Sequence, residues 1–356
     1  MIVVDAHQDI AYNALQYGRD YTRSAWAIRK QEGAAGALSN GLAANGLPDA
    51  LLGRLAVVFA TLFVEPERAS FTADKKLGYS TPEQAYRQAL RQLDYYRRLA
   101  GEHPQLALIR TKGELEAVLA SWAPGTTLAD HRVGLALLME GADPILEPRQ
   151  VEEWYEHGVR IIGPAWSETR YAGGTGRPGP LTALGRELLD VMAEFNLILD
   201  VSHMTDEGLL EALDRYPGPV IASHSNPAAF WDNHRNLADR HILRLAERGG
   251  VIGVVLYNRF MNPAWHPRAS KAETPLQRVV DMIDYICQLT GSAAHAGIGT
   301  DVDGGFGAEH MPDGIDTVTD LLRIGDALRA YGFSDANVEA ILGGNFLRVL
   351  GGALPV

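Results

Sequence analysis

The sequence predicts a (β/α)8 barrel, and three observations lead to that prediction. Eight short apolar runs recur along the chain, helical stretches separate them, and histidine or carboxylate residues follow several of the runs. Continuously apolar strands that alternate with helices are typical of a parallel sheet, because helices cover both faces of such a sheet. A doubly wound open sheet is the alternative. We favour the barrel because only a closed barrel brings so many strand ends around one mouth.

The predicted strands cover residues 2–4, 55–63, 133–139, 159–162, 197–201, 219–222, 250–256 and 297–299. Helices are predicted over residues 82–99, 185–195, 206–215 and 275–290. The stretches 12–54 and 65–132 are longer than minimal connections between a strand and a helix. We therefore expect one barrel domain over residues 1–356, with helical insertions near 12–54 and 65–132.

Composition and charge exclude several classes of protein. No apolar run approaches the roughly 20 residues of a transmembrane helix, so no membrane association is expected. The chain has 44 acidic and 32 basic residues, a formal net charge of -12, and no basic stripe, which argues against a nucleic-acid partner. Cys287 is the only cysteine, and the chain begins almost directly on its first strand without a signal-peptide pattern. Both features favour a cytoplasmic location.

The first predicted strand leads into a histidine and an aspartate. His7 and Asp9 are two residues apart, and side chains alternate along a strand, so both point to the same side. One imidazole and one carboxylate suit zinc and, less selectively, manganese, iron or cobalt. The pair alone is weak evidence, since a hydrogen-bonded histidine beside a solvated aspartate would have the same sequence.

Three more candidate ligands end later strands. Glu140 follows the third apolar run, where a buried carboxylate needs a partner: two cations that it bridges, or an arginine at the rim. His203 and His224 end two successive strands, which places two imidazoles near each other in a barrel. With only 11 histidines in 356 residues, chance alone rarely puts them at three strand ends. The set therefore predicts a metal site.

Asp301 and Asp303 lie where the last predicted strand meets a glycine-rich turn. One of them is expected to reach the metals, where a carboxylate can take the proton of a water molecule and deliver it to a leaving group. Alternatively, both only cap the next helix or shape the turn. Arg235 follows the sixth strand and could bind an anion through a bidentate contact, although its spacing alone favours a surface salt bridge.

The segment 171–180 is rich in glycine and in this respect is similar to a phosphate-binding loop. It lacks the Gly-Lys-Ser/Thr ending and a regular GxGxxG spacing, so nucleotide binding is excluded. Because it follows the fourth predicted strand, we expect it to form a mobile wall of the barrel mouth.

Short motifs along nearly the whole chain together resemble the membrane (renal) dipeptidase family of zinc metallopeptidases. In chain order they are DAHQD (5–9), EG (140–141), GVRI (158–161), LTALGRE (181–187), DVSH (200–203), SHS (223–225), RN (235–236), GTDVDG (299–304) and GGNFLR (343–348). Their order and the separation between the two strand-end histidines agree with the family. The resemblance implies a metallo-dependent hydrolase of the amidohydrolase barrel type that holds two Zn²⁺ ions, and it permits a homodimer.

The resemblance also implies a role for each candidate residue. His7 and Asp9 would bind one ion, His203 and His224 would bind the other, and Glu140 would bridge the two. Arg235 matches the residue that receives the substrate carboxylate, and Asp301 matches the catalytic aspartate.

Trp166 departs from the family pattern. At this position the family usually has a histidine that helps to hold the scissile carbonyl oxygen, and an indole cannot replace an imidazole there. Loss of one oxyanion donor typically costs about 10²–10³ in rate. We therefore expect Trp166 to belong to the substrate-binding surface and ordinary dipeptides to be poor substrates.

The predicted activity is metal-assisted hydrolysis of a small amide, most simply a dipeptide with a free C-terminal carboxylate. Two alternatives remain. The same metals could hydrolyse an N-acyl amino acid or a lactone. The barrel could also hold metals and bind a ligand without turnover, with Trp166 as the sign of lost catalysis.

Overall fold

Eight parallel strands form a nearly closed barrel in the computed structural model, which describes residues 1–69 and 76–356. The strands follow one another around the barrel in chain order. We label them β1 (Val3–Gln8), β2 (Leu55–Phe63), β3 (Val133–Glu140), β4 (Val159–Gly163), β5 (Ile198–Asp200), β6 (Val220–Ala222), β7 (Val251–Val254) and β8 (Ala296–Ile298). The predicted (β/α)8 barrel is confirmed.

The strands are buried throughout, as expected for a barrel that is filled inside by side chains and covered outside by helices. The α-helices are α1 (Ile10–Tyr17), α2 (Ala25–Ser39), α3 (Leu47–Leu52), α4 (Pro82–Glu102), α5 (Lys112–Ala120), α6 (Val151–Glu156), α7 (Ala183–Glu194), α8 (Asp206–Arg215), α9 (Asp239–Glu247), α10 (Asn258–Met261), α11 (Gln277–Thr290), α12 (Leu322–Tyr331), α13 (Asp335–Glu339) and α14 (Asn345–Ala353). A π-helical turn, Ala340–Gly344, joins α13 to α14. None of these helices is long and apolar enough to cross a bilayer.

Strand β1 continues beyond the apolar run from which it was predicted. Two of its buried polar residues, Asp5 and Gln8, are paired: the Asp5 carboxylate accepts hydrogen bonds from the Gln8 side chain (2.7 Å) and the Thr300 backbone N–H (2.8 Å). A parallel bridge between Gln8 and Val302 lies beside these contacts. The same hydrogen bonds that lengthen β1 therefore join it to the segment after β8 and help to close the barrel.

The two long connections carry additional elements. Helices α1, α2 and α3 lie between β1 and β2. Between β2 and β3 lie α4, α5, the short parallel pair Glu65–Pro66 and Gly78–Tyr79, and strand Leu106–Leu108, which pairs with the start of β3. Sequence reasoning missed these short strands. Residues 70–75, inside the predicted insertion 65–132, lie outside the described residues.

The glycine-rich segment after β4 forms an antiparallel hairpin of strands Ala172–Gly174 and Arg177–Leu181. A Cβ atom at Gly173 would clash with the backbone of Gly179 on the opposite strand. Close approach of the two backbones, rather than phosphate binding, accounts for a glycine at this position.

Candidate active site

The five predicted metal ligands lie in one buried cluster at the carboxyl ends of the strands. His7 belongs to β1 and Asp9 follows it, while Glu140 is the last residue of β3. His203 and His224 follow β5 and β6. Each of the five residues is at most 8% exposed. Barrel topology thus brings together side chains that are far apart in the chain.

The Glu140 carboxylate lies between two groups of side chains. Its Oε2 atom is 3.4 Å from His7 Nε2, whereas its Oε1 atom is 3.0 Å from His203 Nε2 and 3.4 Å from His224 Nε2. We call the group of His7, Asp9 and Asp301 the first half of the cluster, and the pair His203 and His224 the second half. Each carboxylate oxygen of Glu140 faces a different half.

The first half contains one imidazole and two carboxylates. His7 Nε2 lies 3.9 Å from Asp9 Oδ1 and 3.8 Å from Asp301 Oδ1. The Thr61 hydroxyl donates a short hydrogen bond to Asp9 and so orients that carboxylate. Neither ring nitrogen of His7 has a hydrogen-bond partner in the described chain, although both are buried.

The second half is held by hydroxyl groups. His224 Nδ1 lies 2.8 Å from Ser223 Oγ, and the Ser223 hydroxyl donates its proton to the buried Asp200 carboxylate. Since that proton is already used, Ser223 accepts a hydrogen bond from Nδ1–H of His224. The lone pair on Nε2 of His224 then points toward Glu140 and His203, whose Nε2 atom is 2.8 Å away.

The hairpin after β4 supports the other imidazole. Thr175 Oγ1 lies 2.8 Å from His203 Nδ1, and the Thr175 backbone N–H donates to the Trp166 carbonyl (2.8 Å). One residue of the hairpin therefore contacts a candidate ligand and also fixes the backbone of Trp166.

The donor set fits a divalent cation. Ligand atoms of His7, Glu140 and His224 lie within 4.8 Å of one another, and so do those of His7, Asp9 and Asp301. A buried polar atom without a partner typically costs about 1–3 kcal/mol; Nδ1 of His7 is in that position, and Nε2 faces the Glu140 carboxylate at 3.4 Å without forming a hydrogen bond. Imidazole and carboxylate together are the ligands that zinc prefers.

The charges in the cluster shift the pKa values of its members in opposite directions. Burial lowers the pKa of His7, but the charges of Glu140 and Asp9 outweigh it and raise the value to about 10. Burial and the charge of Arg235 lower the pKa of His203 to about 4. Burial, together with the charges of Asp9 and Glu140, raises the pKa of Asp301 well above its usual range. The first half therefore attracts a positive charge more strongly than the second.

Arg235 is buried beside the second half, not in the surface salt bridge that its spacing alone favoured. Its guanidinium donates to the His224 carbonyl (2.7 Å) and to Ser225 Oγ (3.0 Å). Within the described chain it forms no ion pair, and its Nε has no hydrogen-bond partner. A buried guanidinium without a carboxylate is suited to receive one from a ligand.

The two aspartates of the glycine-rich turn have different surroundings. Both have left-handed backbones, with φ of 58° at Asp301 and 62° at Asp303, which aspartate tolerates better than most residues. Asp301 faces His7, whereas Asp303 pairs with Arg19 (3.3 Å) and accepts the backbone N–H of Ala44 (3.0 Å). Only Asp301 reaches the cluster.

Trp166 lies at the rim of the cluster and is half-buried. Its ring is 5.0 Å from the Phe63 ring and 6.2 Å from the His203 ring, between centroids.

Sequence reasoning missed Asp200, Ser223 and Thr175. Asp200 and Ser223 belong to the family motifs DVSH and SHS, so the sequence contained a pattern that could have identified them. No local sequence pattern distinguishes Thr175.

Comparisons with known proteins are consistent with this geometry. The family model described as Membrane dipeptidase (Peptidase family M19) matches residues 1–354. An uncharacterized protein from the pqqA 5' region of Klebsiella pneumoniae is 33% identical over 261 residues, which cover 69% of this chain and 93% of that protein. An uncharacterized dipeptidase of Schizosaccharomyces pombe is 28% identical over 299 residues, which cover 82% of this chain and 68% of that protein.

Solved structures share the fold over nearly the full length. A metallopeptidase from Rhodobacter sphaeroides, crystallised with a phosphinate mimic of the dipeptide L-Ala-D-Ala, has a TM-score of 0.81 at 24% identity and covers 99% of both chains. The probable dipeptidase PvdM from Pseudomonas aeruginosa has a TM-score of 0.79 at 20% identity, covering 99% of this chain and 95% of that one. The predicted family is confirmed: the chain belongs to the membrane dipeptidase family of metallopeptidases, peptidase family M19.

Proposed function

We propose that the protein is a dipeptidase that binds two divalent cations, with zinc as the best match to its ligands, and hydrolyses dipeptides with a free carboxylate. The position of Glu140 carries the proposal. A carboxylate whose two oxygens face separate sets of imidazole and carboxylate ligands is suited to bridge two ions.

In this proposal each half of the cluster holds one cation. His7 and Asp9 would hold the first, His203 and His224 would hold the second, and Glu140 would serve both. Manganese, iron or cobalt would suit the same ligands less selectively. When bound, such ions activate water and polarise a carbonyl group.

Asp301 acts as the general base and then as the general acid. Its carboxylate faces the first half, 3.8 Å from His7 Nε2, where an attacking water would lie within its reach. It takes the proton of that water and delivers it to the nitrogen of the departing amine, so that one residue serves both steps.

Arg235 orients the substrate. In the described chain this buried guanidinium has no carboxylate partner, and the substrate's terminal carboxylate would supply one. This contact would hold the scissile bond beside Glu140, which contributes orientation rather than bond chemistry.

The proposal is tested by a hydrolysis screen on protein whose bound metal is quantified in the same preparation. The substrates are dipeptides of mixed chirality, the same dipeptides with an amidated C-terminus, N-acetyl amino acids and a lactone. We expect two ions per chain, and we expect cleavage of free dipeptides well above that of their amides. Faster cleavage of N-acetyl amino acids or of the lactone would show that dipeptides are not the preferred substrates. If the protein binds two ions and hydrolyses none of these compounds, the result would favour a barrel that binds a ligand without turnover.

A further inference from the structure

A small aromatic cluster lies beside the proposed metal site, separate from the main core of the barrel. Tyr12, Phe63 and Leu77 form its buried centre, and Trp166 packs against it while remaining half-buried. We call Tyr12, Phe63 and Trp166 the aromatic wall. The mechanism proposed above uses none of these three residues.

The aromatic wall reaches from β2 to the second half of the metal cluster. Phe63 ends β2, and its ring lies 5.1 Å from the Tyr12 ring and 5.0 Å from the Trp166 ring. The Trp166 ring lies 6.2 Å from the His203 ring on its other side. The indole therefore stands between an apolar support and a candidate metal ligand.

Hydrogen bonds hold both ends of the aromatic wall in place. The Tyr12 hydroxyl donates to Glu65 (3.1 Å), and the Trp166 carbonyl accepts from the backbone of Thr175 (2.8 Å). An aromatic surface that is already fixed loses little entropy when a ligand packs on it.

The aromatic wall and Arg235 reach His203 from different strands of the barrel. Arg235 follows β6 and lies 3.3 Å from His203 Nε2, whereas the aromatic wall is built from the end of β2 and from the segments that follow β1 and β4. If Arg235 holds the carboxylate and the scissile bond lies over Glu140, as in the proposed function on which this inference rests, the first residue of the dipeptide extends toward Trp166.

We propose that Trp166 is a specificity-determining residue that binds the side chain of the first residue of the substrate, and that the favoured dipeptides begin with a large apolar or aromatic residue. Apolar contact with a fixed indole favours such side chains over glycine by removing their surface from water.

The test compares kcat/KM for Gly-Ala, Leu-Ala and Phe-Ala in the wild type, Trp166→Ala and Trp166→Phe. We expect the wild type to favour Phe-Ala and Leu-Ala over Gly-Ala by about tenfold to a hundredfold, as apolar pockets do for a few added carbons. Trp166→Ala should lose most of this preference through KM, and Trp166→Phe should keep part of it. Phe260→Leu, on the Arg235 side (5.7 Å from ring to guanidinium), is the matched control and should leave the first-residue preference unchanged.

The outcomes separate this inference from the proposed function. Equal selectivity in the wild type and Trp166→Ala would overturn the inference and leave the dipeptidase proposal intact. A wild type that favours Gly-Ala, with Phe-Ala gained in Trp166→Ala, would show that the indole blocks the site and would also overturn it.

If no dipeptide is cleaved, the proposed function fails, and binding still tests the inference. Calorimetry with phosphinate analogues of Phe-Ala and Gly-Ala should then give tighter binding of the phenylalanine analogue to the wild type. Trp166→Ala should remove the difference, and unchanged selectivity in that variant would overturn the inference.

Discussion

The two halves of the ligand cluster are held in place by different means. In the second half each imidazole contacts a hydroxyl group, Ser223 for His224 and Thr175 for His203. In the first half, neither ring nitrogen of His7 has a hydrogen-bond partner in the described chain, and the ring depends on strand β1 for its position. Hydrogen bonds to the far nitrogen of an imidazole set its tautomer and its direction. The two imidazoles of the second half are therefore oriented before a cation arrives, whereas the imidazole of the first half is positioned mainly by its backbone and by the neighbouring charges.

The charges around the two halves also differ. Asp9 and Asp301 surround His7, whereas Arg235 lies 3.3 Å from His203 Nε2. As a result, the first half binds a proton strongly without metal, and the second half does not. A cation that binds the first half must therefore displace a proton. A cation that binds the second half displaces none.

The largest expected effect comes from Asp301, one of the two carboxylates of the first half. Asp301→Asn should lower kcat by about 10²–10⁴-fold, because the amide cannot accept the proton of the attacking water. The variant should keep two ions per chain, as measured by elemental analysis beside steady-state kinetics. Near wild-type turnover would remove Asp301 from the mechanism.

Asp303→Asn is the control for that variant. Its carboxylate pairs with Arg19 at 3.3 Å and does not reach the cluster. We expect this change to lower the midpoint of thermal unfolding and to reduce kcat far less than Asp301→Asn does.

The second-largest expected effect is a loss of metal affinity when the hydroxyl groups that contact the second half are removed. Ser223→Ala removes the acceptor of His224 Nδ1–H, and such losses typically weaken metal binding by about 10–100-fold. Competition with a chromogenic chelator should show one weakened site and one unchanged site. Thr175→Val should act in the same direction on that site through His203.

Ser202→Ala provides the matched comparison. Ser202 donates to the other oxygen of Asp200 (2.7 Å) and accepts the backbone N–H of His224 (3.0 Å), but in the described chain it forms no hydrogen bond with an imidazole nitrogen. We expect a smaller loss of affinity than in Ser223→Ala. Equal weakening of both sites by Ser223→Ala would contradict the difference that we draw between the halves.

The smallest expected effect is the uptake or release of protons on metal binding. The pKa of His7 is raised to about 10, so His7 carries a proton at pH 8, and a metal ligand must be neutral. The pKa of His203 is lowered to about 4, so this imidazole is already neutral at that pH. Cation binding to the first half should therefore release a proton, and binding to the second half should release none.

Calorimetry at pH 8 in buffers of different ionisation enthalpy measures this release. The proton linked to His7 should disappear as the pH rises through about 10, where the free imidazole is already neutral. His7→Asn should abolish it at pH 8. Proton release that persists in His7→Asn would assign it to the carboxylates of the first half instead.

Much of the cluster could be predicted because its residues lie at or just beyond the carboxyl ends of strands. Apolar runs located the strands, and the convergence of parallel strand ends placed His7, Glu140, His203 and His224 together. The exact ends were less predictable: β1 runs past its apolar residues because Asp5 is hydrogen-bonded to Thr300, from the other end of the chain. No local pattern records such a contact.

Sequence alone indicated the parallel barrel and the residue types that surround its mouth, because periodicity and strand ends are local properties of the chain. The family followed from the resemblance of its short motifs. Tertiary structure decided which aspartate of the turn faces the cluster, since two left-handed residues direct Asp301 inward and Asp303 toward Arg19. It also decided that Thr175 contacts His203 and that Trp166 packs on Phe63. These contacts join segments that only the closed barrel brings together, and side-chain direction depends on backbone angles and on neighbours that are distant in the chain.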